Sequence, residues 1–102
     1  MKREIKFRIY DGFKMVYDII PQHFGFTPMQ FTGLKDKNGV DIYEGDILEI
    51  ENGKYPVIAK CIYEPGYFNL KDYANGSWTR QLFHKQERLK VIGNIYENTE
   101  LI

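Results

Sequence analysis

Apolar and charged residues alternate at the start of the chain. Ile5, Phe7 and Ile9 fall on one side and Glu4, Lys6 and Arg8 on the other, the period of two that marks a half-buried β-strand. Asp11-Gly12 follows, and Met15, Tyr17 and Ile19 alternate again before Pro21. Residues 1–20 therefore read as a β-hairpin whose turn uses the positive φ open to glycine. Residues 21–28 hold two prolines and a glycine and read as a loop. Met29-Gln30-Phe31-Thr32 is a short strand stopped by Gly33, Lys35-Asp36-Lys37-Asn38-Gly39 a polar turn, and Glu44-Gly45-Asp46 a sharp turn that launches Ile47-Leu48-Glu49-Ile50. Asn52-Gly53 reverses the chain into a β-rich run from Tyr55 to Tyr63, and Pro65-Gly66 turns it into Tyr67-Phe68-Asn69-Leu70. Asn75-Gly76 precedes Trp78, after which Leu82, Phe83 and Leu89 fit neither the strand nor the helix period. Arg88 to Tyr96 reads as a last strand with a bulge or bend at Gly93-Asn94, and Asn98 is placed to cap a short helical turn.

Short strands separated by glycine-bearing turns predict an all-β fold, a small barrel or roll, with residues 29–97 as its body and residues 1–20 as an added hairpin. A chain of 102 residues suits one domain, and 43% hydrophobic with 16% aromatic residues suffices for a packed interior. Ile5, Phe7, Ile9, Ile47, Ile50, Val91 and Ile95 are its expected core members. No window has the apolar length to span a bilayer, and the opening MKREIKFRIY lacks the apolar run of a signal peptide. With the lone Cys61, which has no intramolecular partner, this makes a reducing, cytoplasmic setting the expectation.

Fourteen basic residues balance fourteen acidic ones, so no net field steers polyanions to the molecule. The distribution is uneven: residues 36–51 carry six acidic residues against Lys37, and residues 71–90 five basic residues against Asp72 and Glu87. The acidic stretch gathers Asp36, Asn38, Asp41, Glu44 and Asp46, hard oxygen donors suited to a cation. It departs from the calcium-loop pattern, because Asp41 stands at the sixth position where glycine is required. Turn chemistry is the better account, with Gly33, Gly39 and Gly45 supplying backbone freedom and Asp36, Asn38 and Asp46 accepting turn amides. Cys61, His23 and His84 are too scattered for zinc, and Cys61, alternating with Val57, Ala59 and Tyr63, reads as a small buried hydrophobe. A Cys61–His84 nucleophile pair has no third group to orient it. No catalytic residue, metal or cofactor is expected.

Two surfaces stand out instead. Tyr67, Tyr73, Trp78, Arg80, His84, Lys85 and Arg88 interleave stacking faces with phosphate partners, as on single-strand-binding barrels, although with zero net charge the better account makes Tyr67 and Trp78 core and the cations ordinary solvated residues. In the second hairpin strand, Phe13, Met15, Val16, Tyr17, Ile19 and Ile20 place apolar bulk on both faces, and a small barrel covers only one. Phe13, Val16 and Ile20 are thus candidates for a self-association contact that closes a homo-oligomer. The competing account folds residues 21–28 over that face, with Phe24 and Phe26 as a lid.

The segment from Gln30 to Ile47, QFTGLKDKNGVDIYEGDI, resembles the signature of the YopX family of phage and prophage proteins. Phe7-Arg8 with Asp11-Gly12 and Met15 resembles the family's opening hairpin, and Val91-Ile92-Gly93-Asn94-Ile95-Tyr96-Glu97-Asn98 with Glu100-Leu101 resembles its close. Phe31 stands where Tyr is commoner and Thr99 where Pro is usual. In that pattern Gly12, Gly33, Asp36, Gly39, Gly45, Asp46 and Gly93 are turn positions. The resemblance implies an SH3-like β-barrel with added β structure, a phage or prophage setting and no established enzymatic activity. The expected function is a non-enzymatic accessory protein, an interaction module that self-associates and meets a host or phage protein. A nucleic-acid-binding barrel is the alternative, and no membrane partner is expected.

Overall fold

Asp11 shapes the first turn. Its Oδ1 accepts the N–H groups of Phe13 (2.8 Å) and Lys14 (2.9 Å), and Gly12 takes φ +98°, so the chain reverses within two residues. In the computed structural model, which describes residues 4–19, 25–51, 56–72, 79–81 and 86–101, this turn joins β1 (Phe7–Tyr10) to β2 (Met15–Ile19). The strands that follow are β3 (Met29–Lys35), β4 (Asp41–Tyr43), β5 (Asp46–Ile50), β6 (Val57–Glu64), β7 (Tyr67–Asp72), β8 (Thr79–Gln81) and β9 (Leu89–Asn94). Short 3-10 turns cover Gln86–Arg88 and Thr99–Leu101.

The protein is all-β, and every strand pairing among the described residues is antiparallel. The strands form two sheets of order β2-β1-β3-β4 and β8-β7-β6-β5-β9. Among the described residues no pairing closes either sheet into a barrel. The hairpin is not set apart from the body, because β1 pairs with β3 (Phe7 opposite Gln30, Arg8 opposite Met29) and so shares a sheet with β3 and β4.

The main core lies on the five-stranded sheet. Leu48 and Ile50 of β5 sit between Ala59 and Val57 of β6 and Val91 and Leu89 of β9, with Cys61, Phe68 and Leu70 beside them. Ile42 of β4 enters the same cluster, so the two sheets meet there. Burial of side chains such as Ile47 and Leu48 contributes about 1.5–3 kcal/mol each. The junction turns on Gly45, whose N–H donates to the Cys61 carbonyl and whose carbonyl accepts the Ile95 N–H, both at 2.9 Å.

Three expectations need correction. Ile5 is 70% exposed because it lies ahead of β1, outside the sheet, while Arg8, expected on the solvent side, is buried because β1 is an inner strand covered on both faces. Phe7, Val91 and Ile95 are half-buried, whereas Ile9, Ile47 and Ile50 are in the core as expected. Gly33 does not end a strand: it lies inside β3 with φ +90°, where the register against β4 slips between Phe31 and Lys35. A bulge absorbs its positive φ in place of a turn. The irregularity expected near Gly93 is present, since Ile47 faces Gly93 but Leu48 faces Val91.

Candidate interaction surface

The hairpin leaves apolar bulk exposed at its turn and along its second strand. β2 is the edge strand of its sheet and none of its residues is fully buried, while Phe13 at the turn is 91% exposed and Tyr17 50%. Asp18 lies at the slip between Arg8 opposite Tyr17 and Phe7 opposite Ile19, with φ +57°, a conformation that Asp adopts more readily than most side chains. Val16 is half-buried, and Ile20 lies outside the described residues, as do Phe24 and the other residues of 20–24. Phe26 is itself exposed.

Behind this edge runs a ladder of cations and rings. The Lys6 Nζ stands 4.4 Å over the Phe31 ring, and the Arg8 guanidinium 4.7 Å over Tyr43 and 6.0 Å from Tyr17. The rings touch one another as well, with Tyr17 to Tyr43 at 5.6 Å and Phe31 to Tyr43 at 5.5 Å. Carboxylates complete it. Asp46 accepts from the Arg8 Nη2 at 2.8 Å and from the Tyr43 N–H at 2.7 Å, and Asp41 accepts from Lys6 (2.7 Å) and Lys35 (2.6 Å). Burial pushes the Asp46 carboxyl above its ordinary range against the pull of Arg8 and the Tyr43 amide, while the Asp41 hydrogen bond raises the Lys6 ammonium. The ladder fixes the hairpin to the β4–β5 junction and holds Tyr17 at the rim.

The YopX protein family matches residues 3–102. This chain belongs to the YopX family. A crystal structure of protein EF1440 from Enterococcus faecalis superposes with a TM-score of 0.72 at 26% identity, over 98% of this chain and 99% of that one. No curated protein matches.

In this YopX-family chain the acidic segment is spent on folding. Asp36 accepts the N–H groups of Asn38 (2.8 Å), Val40 (2.9 Å) and Val91 (2.9 Å), tying the β3–β4 turn to β9. Burial alone would raise its carboxyl, but the amides of Val91, Val40 and Asn38 hold it below the ordinary range. Asp41 and Asp46 are engaged by Lys and Arg, and Glu44 turns toward the Gln30 amide at 3.4 Å. Among the described residues no group of three or more His, Cys, Asp or Glu is placed to hold a metal ion. Gly12, Gly39 and Gly45 all take positive φ at turns, as their motif positions require.

Cys61 is buried, and burial pushes its thiol well above its ordinary value. It floors a groove of about 220 Å³ walled by Tyr63, Tyr96, Met29 and Lys60. His23 and His84 lie outside the described residues.

Of the aromatic and basic candidates, Tyr67 is 45% exposed and therefore not core, and Arg88 is exposed. They stand at opposite ends of the five-stranded sheet. Tyr67 pairs with Glu64, whereas Arg88 precedes Leu89, which pairs with Ile50 opposite Val57. Along β6 that is seven steps of about 3.3 Å, roughly 23 Å. Arg80 lies on β8 opposite Leu70, but its side chain, with Tyr73, Trp78, His84 and Lys85, lies outside the described residues. Sequence reasoning missed the Arg8–Asp46 pair entirely. An arginine in a strand whose neighbours are Phe7 and Ile9 was the available signal. Among the described residues no helix is long and apolar enough to cross a membrane.

Proposed function

We propose that this chain is a non-enzymatic accessory protein of a phage or prophage, acting in the bacterial cytoplasm as an interaction module that self-associates through its N-terminal hairpin and meets a host or phage protein. One observation carries the reading: Phe13 is almost fully exposed beside an edge strand that no described strand covers. The Asp11 turn and the Arg8 ladder hold that surface in a fixed shape, which lowers the ordering cost of binding. The order β8-β7-β6-β5-β9, with a 3-10 turn directly before β9, supports reading the five-stranded sheet as an SH3-like roll to which β1 to β4 are added.

Size exclusion with light scattering tests the reading on the full chain. The expected mass is a multiple of the chain mass, and a monomer mass at every concentration overturns it. Nucleic acid is the second reading, favoured by the exposed Tyr67 ring. Titration with single-stranded and duplex oligonucleotides at two salt concentrations tests it, and binding that does not weaken with salt would rule out phosphate contacts.

A further inference from the structure

The main-chain groups that β2 turns outward can be assigned from two hydrogen bonds. The Phe31 N–H donates to the Lys6 carbonyl at 2.9 Å, so Lys6 and Arg8 direct their main-chain groups to β3, and Phe7 and Ile9 direct theirs to β2. The Asp11 N–H donates to the Lys14 carbonyl at 3.1 Å, which fixes the same alternation from the turn end. With Ile9 opposite Val16, the N–H and C=O of Val16 are spent on β1, and those of Met15 and Tyr17 point away from the sheet. On the other axis, Tyr17 lies on the face of Arg8, whose guanidinium it meets at 6.0 Å, and Met15 on the face of Tyr10. Val16 lies on the opposite face.

Alternation thus leaves a three-residue docking edge, Met15-Val16-Tyr17, closed at one end by Lys14 and at the other by the bulged Asp18. We propose that this edge pairs antiparallel with the same edge of a second copy, about a two-fold axis at Val16; this rests on the self-associating reading above. In that register Met15 faces Tyr17 of the second copy twice, which uses all four outward N–H and C=O pairs in the dimer. Val16 packs on its own copy, and Lys14 falls opposite Asp18 at both ends. Charge complementarity selects the register and the occupant. Centring on Met15 sets Lys14 against Val16, and centring on Tyr17 sets the bulged Asp18 against Val16. Neither aligns opposite charges. Both Lys14 and Asp18 are solvent-exposed, with no ion pair to either among the described residues, and the apolar Phe13 is carried to the margin of the same contact. The union is isologous and closes on itself, producing one eight-stranded sheet from two four-stranded ones without continuing into a fibre.

Charge exchange tests it, read by sedimentation equilibrium of the full chain with circular dichroism as the folding control. Lys14→Glu sets Glu against Asp18 at both ends and should weaken the dimer about tenfold or more, as should Asp18→Lys. Mixed in equal amounts, the two variants regain opposite charges at both ends and should form heterodimers near the original affinity. If Asp18→Lys fails to fold at its positive φ, Asp18→Asn added to Lys14→Glu removes the repulsion and should recover affinity lost in Lys14→Glu alone. A dimer indifferent to every one of these changes overturns the edge pairing while leaving self-association standing. A wild-type chain that is monomeric throughout overturns both.

Discussion

Removing the Asp46 carboxylate should destabilise the protein more than any other single surface-distant change in the hairpin junction. Both partners of the Arg8–Asp46 pair are 3% exposed, and their nitrogen and oxygen stand 2.8 Å apart. Asp46→Ala leaves a guanidinium buried with an Nε that already has no partner among the described residues, and it also strips the acceptor from the Tyr43 N–H. Breaking one side of a buried pair costs about 3–5 kcal/mol, a large share of the roughly 5–15 kcal/mol available to a domain of this size. At about 4–8 °C per kcal/mol, the melting temperature should fall by well over 10 °C. Asp46→Asn keeps an oxygen for the Tyr43 amide and should lose less. Arg8→Met combined with Asp46→Asn should lose less than the two single changes added together, because no charge is then left unpaired. Urea unfolding of wild type, Arg8→Met, Asp46→Asn and the double variant measures the cycle, and that of Asp46→Ala the loss. A loss below about 1 kcal/mol for Asp46→Ala, or strict additivity in the cycle, would refute the pair as the tie between hairpin and body.

Three further outcomes follow from the same geometry. Because burial raises the Cys61 thiol, it should resist a thiol reagent in the native protein and react at once in denaturant; rapid native labelling would show that the groove opens to its floor. Gly45→Ala should cost about 1–3 kcal/mol in thermal or urea unfolding, since φ is +90° and the added Cβ would stand 2.8 Å from the Met29 sulfur; unchanged stability would mean the junction yields easily. The Asp36 carboxyl is held below its ordinary 3.8 in the folded state, so its charge contributes stability above that value and the contribution is lost as pH falls through the lowered one. The gap in stability between wild type and Asp36→Asn should accordingly be constant near neutrality and narrow in acid, and a gap that widened in acid would reverse the sign.

The turns were legible because their chemistry is local. Gly12, Gly39 and Gly45 sit beside Asp, Asn or Glu and need no distant partner to declare a reversal. Gly33 was harder, because a glycine in a bulge and a glycine in a turn look alike until the opposing strand is known. Arg8 and Ile5 went the other way for different reasons: alternation predicts sides only for a strand with one wet face, and β1 lies between β2 and β3 with its Arg8 face closed over by Tyr17, Tyr43 and Asp46, while Ile5 precedes β1 and is not part of the sheet. The partition into two sheets depends on β5 pairing with β9, which lies beyond β6, β7 and β8 in the chain and which no window of sequence contains. The hairpin's exposed bulk was readable from Phe13 and Tyr17, but Val16 is half-buried and the direction of each amide needed the register.

Amide hydrogen exchange at Met15, Val16 and Tyr17, followed by NMR over a range of protein concentrations, tests the edge most directly. The Val16 N–H belongs to the β1 ladder and should be protected already at the lowest concentration. Protection of the Met15 and Tyr17 amides should rise with concentration in step with the mass measured by sedimentation. Unprotected Met15 and Tyr17 amides in a solution shown to be dimeric would contradict the account.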